Sequence, residues 1–153
     1  MQNQSEGAEN GVRQSVNGFY AAFNEGFVGP CDFSTEDWNH INPGGGWAKG
    51  REAVLREVRA VHTTFLKDVT DTVEELAVRF ASRSTAVVTV ISRISIFVTP
   101  DGVRHENDRH IRTFVVVERD GRWLVMQDQN TIISGSMGQL HRSPRPGPVP
   151  DMC

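Results

Sequence analysis

The chain has 153 residues, the size of one ordinary domain, which excludes an enzyme built from separate cofactor and substrate modules. Sixteen Lys and Arg against nineteen Asp and Glu give a net charge of -3, which offers no basic field to a nucleic-acid backbone. Hydrophobic residues at 38% and charged residues at 23% suit a packed core. No apolar run approaches the roughly 20 residues of a membrane helix, and the opening MQNQSEGAENG lacks a basic and apolar leader, so a cytoplasmic protein with no membrane partner is expected. Cys31 and Cys153 have no metal-ligand spacing and read as reduced thiols.

Residues 1–10 are rich in Gln, Asn, Ser, Glu and Gly, and the end HRSPRPGPVPDMC carries four prolines. Both read as disordered tails, 1–10 and 137–153, around a single domain spanning 11–136. Val12, Val16, Phe19, Tyr20, Phe23 and Phe27 recur at helical period and predict a first helix ended by Gly29-Pro30. A brief strand over Trp38 to Asn42 precedes the breaker Pro43-Gly44-Gly45-Gly46. A second helix follows from about Arg51 with the stripe Val54, Leu55, Val58, Val61, His62, Phe65 and Leu66. There a histidine takes an apolar place, which turns His62 toward the core.

From Val73 the period becomes two, and strands are expected near 73–80, 84–98, 104–118 and 122–133. Thr99-Pro100-Asp101-Gly102 and Arg119-Asp120-Gly121 are turn sequences. Pairing Val98 with Val103 and Glu118 with Arg122 turns Ser92, Asn107, Arg109, Gln127 and Gln129 toward the helices. The same register puts Phe114, Val116, Leu124 and Met126 outside with the pairs Arg112–Asp128 and His110–Asn130. A surface so apolar suits contact with a second copy, so a homodimer through the sheet is expected. A single β-bulge would exchange the faces beyond it.

The polar set at one end of the helix-facing side needs either mutual hydrogen bonds or a cavity holding ligand. With Tyr20 and His62 entering from the helices, a cavity is expected. His62 is the candidate for proton transfer, with Arg109 or Tyr20 polarising a substrate oxygen; a core histidine bonded to a carbonyl or to Tyr20 remains the structural alternative. The five histidines lack metal-ligand spacing, and no phosphate loop, dinucleotide fingerprint or nucleophile elbow is present, so neither metal nor cofactor is expected.

The order of a long amphipathic helix, a short strand ending in Asn-Pro-Gly, a helix opened by Lys49-Gly50-Arg51-Glu52 and a meander closing on Asp120-Gly121-Arg122-Trp123 resembles the SnoaL-like branch of the nuclear transport factor-like superfamily. Gly46-Trp47-Ala48-Lys49-Gly50-Arg51-Glu52-Ala53-Val54, His62 with Phe65-Leu66-Lys67, and Gln129-Asn130-Thr131 resemble the SgcJ/EcaC type, some members of which belong to enediyne antibiotic biosynthesis. The resemblance implies an α+β, cone-shaped, cystatin-like fold in which a curved, mostly antiparallel sheet wraps a long N-terminal helix around an internal pocket. It also implies a homodimer packed through the sheets.

Where ketosteroid isomerases of this superfamily carry a carboxylate base, the chain reads His40-Ile41-Asn42-Pro43. The late-strand aspartate of polyketide cyclases has only Asp128 as its counterpart, which the register above sends outward. The expected ligand-binding wall is Trp47, Ser92, Asn107, Gln127, Gln129 and His40. The leading functional expectation is metal-free acid/base chemistry (isomerisation, cyclisation or dehydration) on an apolar polyketide-derived polyene or aromatic intermediate. The alternatives are a non-catalytic protein that binds such an intermediate or stabilises a biosynthetic partner enzyme, and a structural dimeric module with a filled cavity.

Overall fold

A computed structural model describes residues 2–134. The proposed Pro-rich tail, 137–153, lies outside the described residues. Helix α1 runs from Gln2 to Asn24 and is followed by strand β1 (Ser34–Ile41), the short β2 (Trp47–Lys49) and helix α2 (Arg51–His62). Strands β3 (Asp71–Ser82), β4 (Thr85–Ile94), β5 (Phe97–Val98), β6 (Arg104–His105), β7 (Arg109–Arg119) and β8 (Arg122–Ile132) complete the fold. Among the described residues no helix is long and apolar enough to cross a membrane.

Six strands form one sheet in the order β2-β1-β8-β7-β4-β3. All its pairings are antiparallel except β1 with β8. The sheet packs on α1, whose Val12, Val16, Phe19, Tyr20 and Phe23 are buried, as the helical stripe demands. Helix α2 buries Val54, Leu55, Val58 and His62, again as its period requires.

Three local expectations are corrected. Residues 2–10 are helical and not a tail: Gln, Glu and Ala are adequate helix formers, Glu9 pairs with Arg13 one turn on at 3.0 Å, and Gly11 lies so close to the Trp123 ring that a Cβ there would come within 2.5 Å of it. The helix also stops earlier than Gly29, at Asn24. Phe27 lies beyond it in the left-handed region (φ 58°) and still buries its ring.

The third correction concerns register. Val98 pairs with Arg104, not Val103, so the loop holds one residue more than the turn sequence alone suggests. Arg119 pairs with Arg122, leaving Asp120 and Gly121, both at positive φ (53° and 79°), as a two-residue hairpin turn whose twist matches the strands. A β-bulge then shifts β8 once more, because Val116 pairs with Val125 while Val115 pairs with Gln127 and leaves Met126 as the extra residue.

Each one-residue shift exchanges the faces of a strand. Ala86, Val88, Val90 and Ser92 of β4 and Val125 of β8 face the helices as expected, but so do His110, Arg112, Phe114 and Val116 of β7 and Asp128 and Asn130 of β8, all of them buried. Phe114 and Val116, expected on an outer dimer face, are core residues at 0% exposure.

Candidate functional site

A cavity of about 410 Å³ opens between the C-terminal half of α1, α2, the end of β1, the β5–β6 hairpin and the polar end of the sheet. Its wall is mostly apolar: Phe23, Phe27, Val58, Val61, Phe65, Leu66, Ile94, Phe97 and Ile132. Into this wall are set His40, His62, His105, His110, Arg112 and Asn130. A wider cleft of about 1280 Å³ lies at the opposite end, beside Gly11, Phe80, Gly121 and Trp123. It is lined by Asp32, Arg83, Glu118 and Arg122 but by none of these histidines, so the imidazole groups belong to the smaller space.

The parallel pairing of β1 with β8 sets His40 directly beside Asp128. The His40 Nδ1 to Asp128 Oδ2 distance is 2.8 Å, and the Trp38 indole Nε1–H donates to Asp128 Oδ1 at 2.8 Å. Asp128 is fully buried and His40 is 6% exposed. A carboxylate only accepts, so the imidazole presents its Nδ1–H to Asp128, and in the neutral ring Nε2 then carries the lone pair. This arrangement fixes both the tautomer and the orientation of the ring, the role of the carboxylate in a histidine–aspartate pair.

Arg112 sits behind this pair, 3.5 Å from Asp128 Oδ2 and 3.8 Å from Asp71 Oδ2. Its guanidinium lies over the rings of Phe19 at 4.6 Å and Tyr20 at 5.6 Å. The two carboxylates supply the charge that a buried arginine requires. The Tyr20 hydroxyl is buried without a hydrogen bond. Burial pushes its pKa up, against the pull of the Arg112 charge, so it stays a neutral phenol.

His110 lies on the adjacent strand with its Nδ1 2.9 Å from Asn130 Nδ2. Burial pushes its pKa below the ordinary histidine value, with Asp71 acting in the opposite sense. His62 stands edge-on to Phe23 (ring centroids 4.4 Å apart) and also contacts Phe27 (5.2 Å). Burial lowers its pKa too, and no carboxylate orients its ring. His105 bonds Asp108 at 2.6 Å and stacks on its cross-strand partner Phe97 at 4.7 Å, which braces the β5–β6 hairpin internally.

Of the residues singled out in the sequence, His62 and His40 line the cavity. Tyr20 and Ser92 are buried beneath it, with Ser92 Oγ unbonded. Arg109, Asn107, Gln127 and Gln129 turn away from it. Arg109 bonds Glu74 Oε1 at 2.9 Å on the outer surface. Gln127, Gln129 and Asn107 are exposed, the first two because of the bulge at Met126 and Asn107 because it sits in a turn at φ 52°. Trp47 is 60% exposed and lies under the Lys49 ammonium at 3.9 Å.

The residues missed as inward were Asp128, Arg112, His110 and Asn130. The sequence did pair Arg112 with Asp128 and His110 with Asn130, and both pairs meet, but on the helix side. The usable signal was the alternation of these four polar residues with Phe114 and Val116, which must share their face.

No family model matches the chain, and no curated protein matches it. Among solved structures it is similar to an uncharacterised protein with a cystatin-like fold from Caulobacter vibrioides, at 22% identity and a TM-score of 0.78 over 88% of this chain and 94% of that one. It is also similar to a hexachlorocyclohexane dehydrochlorinase of LinA type 3 from Novosphingobium barchaimii LL02, at 15% identity and a TM-score of 0.75 over 88% and 92% of the two chains. A third, an NTF2-like protein with a cystatin-like fold from Novosphingobium aromaticivorans, matches at 16% identity and a TM-score of 0.69 over 84% and 83%. With its long N-terminal helix held by a curved, mostly antiparallel sheet, the chain has the cystatin-like α+β fold.

Proposed function

We propose that the protein is a cofactor-independent acid/base enzyme that moves a proton on a largely apolar small molecule, with His40 as the base. The observation that carries this reading is the 2.8 Å contact between His40 Nδ1 and the buried Asp128, in a ring that lines an apolar cavity. His40 Nε2 takes a proton from a substrate carbon, and Asp128 stabilises the imidazolium that forms. Returning the proton to another carbon gives an isomerisation; losing a leaving group with its electron pair gives an elimination. His62, held neutral by its surroundings, is the second proton-transfer group on the wall. A dehydrochlorinase shares the fold, which supports the scaffold and not the substrate. The resemblance to SgcJ/EcaC-type proteins makes polyketide-derived polyenes and aromatics the first natural compounds to try.

The test uses 5-nitrobenzisoxazole, an apolar aromatic carbon acid that opens to a coloured phenolate when a base removes one proton. The unmodified protein should accelerate this opening over buffer, and His40→Gln and Asp128→Asn should each lose on the order of a hundredfold or more of that rate. Equal rates for the unmodified protein and His40→Gln overturn the assignment. Loss confined to His62→Gln transfers the role of base to His62. Absence of any acceleration, together with tight retention of a small molecule seen by mass spectrometry after purification, makes the protein a binder.

A further inference from the structure

The cavity carries a second histidine whose polarity is the reverse of His40. Asn130 Nδ2 lies 2.9 Å from His110 Nδ1. An amide NH₂ only donates, so Nδ1 is the acceptor, and the one proton of a neutral imidazole must then sit on Nε2. His110 is 3% exposed, its Nε2 is buried without a hydrogen-bond partner, and its ring lines the cavity. A buried donor left unpaired is unfavourable, and an acceptor on a bound ligand would satisfy it. The nearby positive charge of Arg112 is already met by Asp71 and Asp128, so the site offers little to a carboxylate or phosphate.

We propose that His110 Nε2–H is the donor that receives a carbonyl oxygen, and that the cavity therefore selects apolar ketones and enones over hydrocarbons or halocarbons of the same shape. The inference rests on the cavity being the small-molecule site and deepens that reading; it does not require His40 to be the base. If His40 does remove a proton from the carbon next to the carbonyl, the C–H electron pair forms a carbon–carbon double bond and the carbonyl π pair moves onto the oxygen. The resulting enolate oxygen is held by the His110 N–H until a carbon is reprotonated and the carbonyl re-forms. β1 and β7 thus supply an acceptor and a donor of opposite tautomer to one space.

Two measurements decide this. Long-range proton–nitrogen NMR of the unmodified protein should show His110 protonated on Nε2 and bare on Nδ1; the opposite tautomer overturns the proposal. Binding of 1-tetralone should then be compared with binding of tetralin, which replaces the carbonyl by CH₂. The ketone should bind about tenfold tighter or better, beyond what its water solubility predicts. That preference should survive in His40→Gln and in His110→Gln, which keeps an N–H donor. It should vanish in Asn130→Asp, whose carboxylate draws the proton to Nδ1, and in His110→Phe, each checked for native circular dichroism. No preference in the unmodified protein, or a preference that Asn130→Asp and His110→Phe both retain, overturns the proposal. Loss of 5-nitrobenzisoxazole turnover in His40→Gln with the ketone preference intact upholds both readings, whereas the preference without turnover upholds this one alone.

Discussion

The two ends of the helix-facing sheet surface are built on opposite terms. Toward the Asp120–Gly121 turn, Ala86, Val88, Val116 and Val125 join Val12 and Val16 of α1 and Phe33, just before β1, in a mostly apolar core. Toward the cavity, the same strands present Ser92, His110, Arg112, Asp128 and Asn130, all buried. Nine buried polar side-chain atoms among the described residues lack a hydrogen bond, and all but Ser34 Oγ belong to Tyr20, Asp71, Ser92, His110, Arg112 or Asn130 at the cavity end. Burial stabilises the first end by its area. The second is held by charge compensation and keeps hydrogen-bonding capacity unspent, which is what a site needs and a core avoids.

The largest effects should come from breaking either end. Arg112→Leu leaves Asp71 and Asp128 buried without their counter-charge and should cost about 3–5 kcal/mol by denaturant titration. Phe114→Ala should cost a similar amount, about 3–5 kcal/mol, by opening a hole in the aromatic cluster of Phe19 and Tyr20. Acid separates the two. Protonation removes the charges stranded by Arg112→Leu, so that variant should recover stability relative to the unmodified protein as pH falls, while Phe114→Ala should not. Equal pH profiles for the two would mean that Arg112 acts as packing.

A smaller effect follows from the buried histidines. His62 and His110 both have pKa values lowered by burial, so the unfolded chain binds their protons more readily than the folded one. Stability should be full above the unperturbed value of about 6.5 and decline as pH falls through it toward the lowered folded values. His62→Gln and His110→Gln should each flatten that decline in thermal melts taken from pH 7.5 to 5. The smallest effect is expected outside: Gln127→Ala and Gln129→Ala should change stability by less than about 0.5 kcal/mol and leave 5-nitrobenzisoxazole turnover unchanged. A large loss from either would return those side chains to the site.

Most elements of this fold were legible because their signals are local, whereas β2 and the breaks that set β5 and β6 apart from β4 and β7 were not expected. The stripes of α1 and α2, the inward place of His62, the change of period at Val73 and the turn residues at Gly102 and Gly121 each depend on a few neighbouring residues. The site was less legible, since its faces depend on counting. One residue more in the 99–103 loop, a two-residue turn at Asp120–Gly121 and the bulge at Met126 together moved Arg109, Gln127 and Gln129 out and brought Arg112, Asp128 and Asn130 in. Periodicity shows that a strand has two faces but not which one meets the helices, and a bulge leaves no mark in composition.

From its sequence alone this protein determined an α+β fold, the approximate places of its two helices and of the late antiparallel strands, and a histidine on the buried stripe of α2. Tertiary structure decided which polar residues became neighbours. His40 and Asp128 are 88 residues apart and meet because β1 lies parallel to β8, a pairing that no turn specifies and that the burial of both strands against the helices selects. The tautomers of His40 and His110, and with them the division into acceptor and donor, follow from those long-range neighbours, because an imidazole takes its polarity from the partner on its other nitrogen.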